Sequence, residues 1–90
     1  MSACVELLKE YMDRYKDDLS IPKLGEKAGV SKMWVYRVLS EDVPVGIEVM
    51  YKLGSALEIP EDDMLDALFE EYRERAWKQF KELSYAKHYL

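Results

Sequence analysis

The chain has little with which to build a covalent or metal-held scaffold. Its 90 residues contain one cysteine and one histidine. A lone Cys4 excludes an intramolecular disulfide and fits a reducing cytoplasm. On an amphipathic helix such a residue packs as a small apolar side chain. His88 has no second histidine and no nearby cysteine, so neither a metal site nor a cofactor is expected, and a near-terminal histidine is solvated. Glycine and proline are also scarce, at four and three, and only Gly25 and Gly54 fall away from an expected helix end or turn. No alternating apolar–polar run suggests a strand. No stretch approaches the ~20 apolar residues of a membrane span. The first residues pass directly into Glu6 and Lys9 with no apolar run behind them, so no signal peptide is expected. The adjacent carboxylates Asp62-Asp63 and Glu70-Glu71 have no nucleophile–base set beside them, which argues against an enzyme.

What is present reads as a folded, all-α chain. Apolar residues make up 49% and seven are tyrosines, too many for a disordered segment. A chain this long buries roughly 60–65% of its unfolded surface, enough for one helical core. Residues 3 to 17 are expected as a first helix, with Cys4, Leu8, Met12 (or Tyr11) and Tyr15 recurring at helical spacing. It should lie as scaffold across the second and third helices.

Residues 20 to 40 carry the clearest local signals. Ser20 is an expected N-cap, and Pro22 falls in the first turn, where a missing N–H costs nothing. Leu24 and Ala28 share an inward face, and Gly29 supplies the positive φ of a helix C-terminus. Ser31 caps a following helix whose Val35, Val38 and Leu39 point inward. That leaves Lys32, Met33, Tyr36 and Arg37 outward. Two cations, an aromatic and a thioether on a short helix suit a major-groove reader: Lys and Arg donate to guanine edges or phosphates, while Met and Tyr touch thymine methyls. Helix–Gly–helix corners also occur in bundles that bind no nucleic acid.

From Leu19-Ser20 through Ser31 the chain resembles the helix-turn-helix of the lambda repressor/Cro-type family, with its Leu-Thr-Gln, then Leu-Ala, then Ala-Gly-Val-Ser pattern. Pro44, Ile47-Glu48, Lys52-Leu53, Ala56-Leu57 and Ile59 resemble the family's fourth helix, with about one extra residue after the proline. Arg14 sits where the family usually has an arginine, and the resemblance covers roughly residues 5 to 66. It implies an all-α, five-helix, lambda-repressor-like fold with an extended C-terminal helix, in which residues 1–60 are the helix-turn-helix DNA-binding domain and residues 61–90 the long last helix. Ser31, Lys32, Met33, Tyr36, Arg37 and Lys23 would contact double-stranded DNA, as an inverted repeat bound by a homodimer. There are departures. Ile21 replaces a glutamine used near the phosphates, and Gly25 replaces a small alanine at roughly 1 kcal/mol in helix propensity. Leu39 replaces a glutamate that pairs with the helix-one arginine, so Arg14 must pair elsewhere, with Glu41 for example, or stay solvated. Trp34 is bulky for its place and either packs against the helix-two/three edge or lies along a phosphate strand.

Net charge is −5, divided as −2 over residues 1–18, +3 over 19–40, −9 over 41–74 and +3 over 75–90. The first positive block coincides with the helix-turn-helix, as a DNA-binding face requires. An acidic domain binds DNA weakly as a monomer, so a dimer is needed. Residues 40 to 46 form a loop that in relatives passes the DNA backbone. Glu41 and Asp42 there are unfavourable unless the loop tilts away. Residues 47 to 58 are expected as helix four, with Ile47, Met50 (or Tyr51), Leu53 (or Gly54) and Leu57 as an apolar stripe. Met50, Tyr51 and Gly54 then either meet a second subunit or complete the core. Pro60, Glu61, Asp62 and Asp63 open a last helix to about residue 88. Its stripe of Leu65, Leu68 (with Phe69), Tyr72, Ala76, Phe80 (or Gln79), Leu83 and Ala86 (or Lys87) exceeds what one small core needs. Within residues 61–90 this helix, ~42 Å long if it ends near residue 88, would overhang, with Tyr72, Ala76, Trp77, Phe80 and Leu83 expected at a dimer interface. The alternative is a bend near Ser84 that folds the chain back. A second functional reading is a protein-interaction module, antitoxin-like or phage-encoded, with a protein partner and little DNA binding.

Overall fold

A computed structural model describes residues 2–15 and 19–88. They form five helices and no strand: α1 (Ala3–Tyr15), α2 (Ile21–Ala28), α3 (Lys32–Leu39), α4 (Ile47–Ala56) and α5 (Glu61–His88). The expected end of the first helix, residues 16 and 17, lies outside the described residues, as do the side chains of Ala86, Lys87 and His88.

Several helix ends have a local cause. Ser2 Oγ accepts from the Val5 amide at 3.1 Å at the start of α1. Ser20 Oγ accepts from the Lys23 amide at 3.3 Å, with Pro22 in the first turn of α2. Gly29 closes α2 at φ 73°, and the Val30 amide returns to the Gly25 carbonyl at 2.9 Å. α4 stops at Ala56, two residues short of the expected end. There Glu58 turns to φ 59°, and the Ile59 amide closes on the Gly54 carbonyl at 2.9 Å. Tyr15 donates its hydroxyl to the Leu57 carbonyl at 3.2 Å, satisfying an acceptor of that last turn.

The core is one cluster drawn from all five helices and their connections: Cys4, Val5 and Leu8 of α1, Leu24 of α2, Val35, Val38 and Leu39 of α3, and Met50, Leu53 and Ala56 of α4. Val45, Leu57 and Ile59 of the connections and Met64 and Ala67 of α5 complete it. α1 runs along α5 and touches α3 and α4; among the described residues it makes no packing contact with α2, contrary to expectation. Arg14 pairs within its own helix, 3.7 Å from Glu10, and its guanidinium lies 4.1 Å from the Tyr11 ring centre. Glu41 is not its partner.

Three expectations about faces are corrected. Met50 is wholly buried, so it is a core residue and not a subunit contact. Ile47, placed by its spacing on the inward stripe, is exposed. It is the first residue of α4 and lies beside α5, ahead of the point where α4 meets the core. Gly54 does admit a helix closely, but the helix is the chain's own α5: a Cβ there would sit 2.1 Å from Met64 Sδ. Gly25 is equally constrained. A Cβ would sit 2.6 Å from the Val30 carbonyl oxygen, so even the family's alanine demands a backbone shift.

α5 runs unbroken to His88, which removes the bend near Ser84. Its core side is Met64, Ala67 and half-buried Leu68, followed by Glu71. The expected stripe of Leu65, Phe69, Tyr72, Phe80 and Leu83 lies on another face and is exposed. From Gln79 to Tyr85 every side chain faces water. The chain is accordingly elongated, 55 × 26 × 19 Å.

Candidate nucleic-acid interface

The candidate reading surface is built by burying one side of α3. Val35, Val38 and Leu39 enter the core. Ser31 Oγ accepts from the Trp34 amide at 3.2 Å, which fixes the first turn and leaves the hydroxyl proton for another acceptor. Lys32, Met33, Tyr36 and Arg37 then face water. No carboxylate lies on α3. The Arg37 guanidinium sits over the Trp34 ring, 5.7 Å from its centre. Trp34 keeps 36% of its surface exposed and lies beneath this cation. Lys23, in the first turn of α2, is exposed too.

The loop after α3 bears on the electrostatics of this surface. Its Asp42 amide donates to the Arg37 carbonyl at 3.0 Å, and Glu41 adopts φ 61°. The Ser2 amide donates to the Glu41 carboxylate. Glu41 and Asp42 both line a cleft against the start of α1 and the middle of α5, whose lining also holds Glu71, Glu74, Arg75 and Lys78.

Glu71 links α5 to α1. It is the one charged residue buried among those described. Its carboxylate accepts from the Cys4 amide at 3.1 Å and pairs with Arg75 at 3.3 Å. A carboxylate on the first turn of α1 meets the positive end of that helix. The same arrangement pushes the Cys4 thiol up to about 12, chiefly by burial and then by the Glu71 charge. Cys4 is thus an inert core thiol.

A second surface was only partly legible. Tyr51, Tyr72, Trp77, Phe80 and Leu83 are exposed and Ala76 is half-buried. Ile47, Leu65 and Phe69 join them, lining with Val45, Leu68 and Tyr72 a groove of about 460 Å³. The signal for Leu65 and Phe69 was their spacing; Ile47 gave none, because its exposure depends on where α5 crosses α4.

No protein-family model matches the chain, and comparison with curated proteins and with solved structures gives no match.

Proposed function

We propose that this chain is a sequence-specific double-stranded DNA-binding protein, a small homodimeric transcriptional regulator of the cytoplasm whose α3 enters the major groove. The observation that carries this reading is the outer face of α3. Lys32, Met33, Tyr36 and Arg37 are exposed together on a helix without a carboxylate, held by capped turns at Ser20, Gly29 and Ser31. The resemblance of residues 19–31 and 44–59 to the lambda repressor/Cro-type pattern supports the same reading.

In this mechanism Arg37 and Lys32 donate to base edges, Arg37 being held ready by the Trp34 ring. Met33 and Tyr36 offer apolar contact to thymine methyls. Ser31, the first amides of α3 and Lys23 grip phosphates and set the register. Two copies place their α3 helices about 34 Å apart on an inverted repeat, and repression follows from covering a promoter. The charge of −9 over residues 41–74 repels DNA elsewhere on the body, and affinity falls with salt because lysine and arginine contacts to phosphates carry it.

The exposed apolar face of α5 favours a second reading, a protein-interaction module that retains the fold without reading DNA. Selection of binding sites from random duplex DNA with the purified chain separates the two. Enrichment of an inverted repeat supports the first. No enrichment, with no retention on heparin or duplex DNA at low salt, leaves the second.

A further inference from the structure

α5 carries two faces of different fate. Met64, Ala67, Leu68 and Glu71 turn to the chain's own body. About a third of a turn round the helix, Phe69, Tyr72, Phe80 and Leu83 are between 67% and 73% exposed, with Leu65 at 46% and neighbouring Ile47 at 76%. An aromatic side chain carries roughly 150–250 Å², so these six residues leave on the order of 700 Å² of apolar surface in water. That exceeds the ~300–600 Å² patch usual on a monomer and approaches the ~800 Å² that each partner contributes to a stable interface.

We propose that this face is covered by α5 of a second copy lying antiparallel, with the two-fold axis passing the helix near residue 74. This rests on the dimer in the reading above and not on its DNA recognition. Two observations select the occupant and its direction. The first is the order of the apolar positions, 65, 69, 72, 76, 80 and 83. Reversed about residue 74 the series nearly reproduces itself. Leu65 then faces Leu83 of the second copy, Phe69 faces Phe80, and the large Tyr72 faces the small Ala76.

The second observation is charge. Residues 61–72 hold six carboxylates and no cation, whereas residues 73–85 hold Arg73, Arg75, Lys78 and Lys81 against Glu74 and Glu82. Antiparallel pairing lays the acidic half of each helix along the cationic half of the other; parallel pairing lays acid on acid. The arrangement also covers both ends of the stripe. The overhang of each copy, exposed from Gln79 to Tyr85, lies along the groove beside Ile47, Leu65 and Phe69 of the other.

The test is carried out on the full chain without DNA. Light scattering coupled to size exclusion is expected to give a dimer. Phe80→Glu, a change outside the body that leaves helicity by circular dichroism intact, should weaken the dimer roughly thirtyfold or more, as loss of a central anchor does. Direction is read with a short bis-maleimide on two single variants, Leu65→Cys and Leu83→Cys; buried Cys4 makes the unaltered chain the blank. Mixed together, the two variants should join to each other, while each alone should join little, because like positions stand ~27 Å apart along the axis. Self-joining of Leu65→Cys alone would show parallel helices and overturn the proposal, and a monomer at every concentration would do the same. A dimer that selects no duplex site sinks DNA recognition and leaves this seam standing. A monomer that selects one does the reverse.

Discussion

Two surfaces of this small chain expose aromatic side chains, and their neighbours make them different. On α3, Trp34 and Tyr36 stand among Lys32 and Arg37 with no carboxylate on the helix. On α5, Phe69, Tyr72 and Phe80 continue a row of leucines, with charges of both signs only at the flanks. The first surface is cationic, narrow and short, a shape for a polyanion's groove. The second is apolar and long, a shape for another helix. Exposure of an aromatic alone would not separate these roles; the charge beside it does.

The comparison breaks most completely if the shared core is damaged. Leu24→Ala removes a wholly buried side chain between the reading unit and α4. It is expected to cost about 2–5 kcal/mol of stability, seen as a lower urea midpoint, and to abolish both surfaces together. Glu71→Ala sharpens the boundary between body and overhang. It strips the Cys4 amide of its acceptor and Arg75 of its pair, at about 1–3 kcal/mol. The loss should appear as faster amide exchange in the first turn of α1, with α3 little changed.

Arg37→Ala separates the two surfaces cleanly. Specific DNA affinity should fall by about 1–3 kcal/mol in a salt-titrated shift assay, with the dimer constant unchanged. Unaltered affinity would remove Arg37 from the reading face. The smallest effect concerns pH. The Cys4 thiol is raised from 9.0 to about 12 in the folded chain, so the folded state holds its proton more tightly than the unfolded one. Its stabilising contribution is complete below about pH 9 and is lost as pH rises toward 12. Urea midpoints should therefore show no Cys4-dependent change from pH 6 to 8 and a decline above pH 9, absent in Cys4→Ala.

Much of α2 and α3 was legible because its determinants act within three or four residues. Ser20, Pro22, Gly29 and Ser31 specify their turns through bonds to amides and carbonyls close by in the chain. The length of α5 was legible for the same reason: nothing between Pro60 and residue 88 interrupts a helix. Periodicity was less informative where two helical faces were both apolar. Between Met50 and Tyr51, spacing allowed either to point inward, and the chain buries Met50. Leu65 and Phe69 had the spacing of a core face, yet Met64 and Ala67, one and two residues away, took that place.

The amino-acid sequence by itself determined the all-helical class, the five helices, and the turn that leaves Lys32, Tyr36 and Arg37 outward, because caps, glycines and apolar spacing are short-range. Tertiary structure alone decided which face of α5 meets the body, why Gly54 must stay small against Met64, and that Glu41 takes the Ser2 amide instead of Arg14. Each of these depends on which distant segment arrives at a given surface. Close packing settles that in three dimensions: a Cβ 2.1 Å from a sulfur is forbidden however well it suits its own helix.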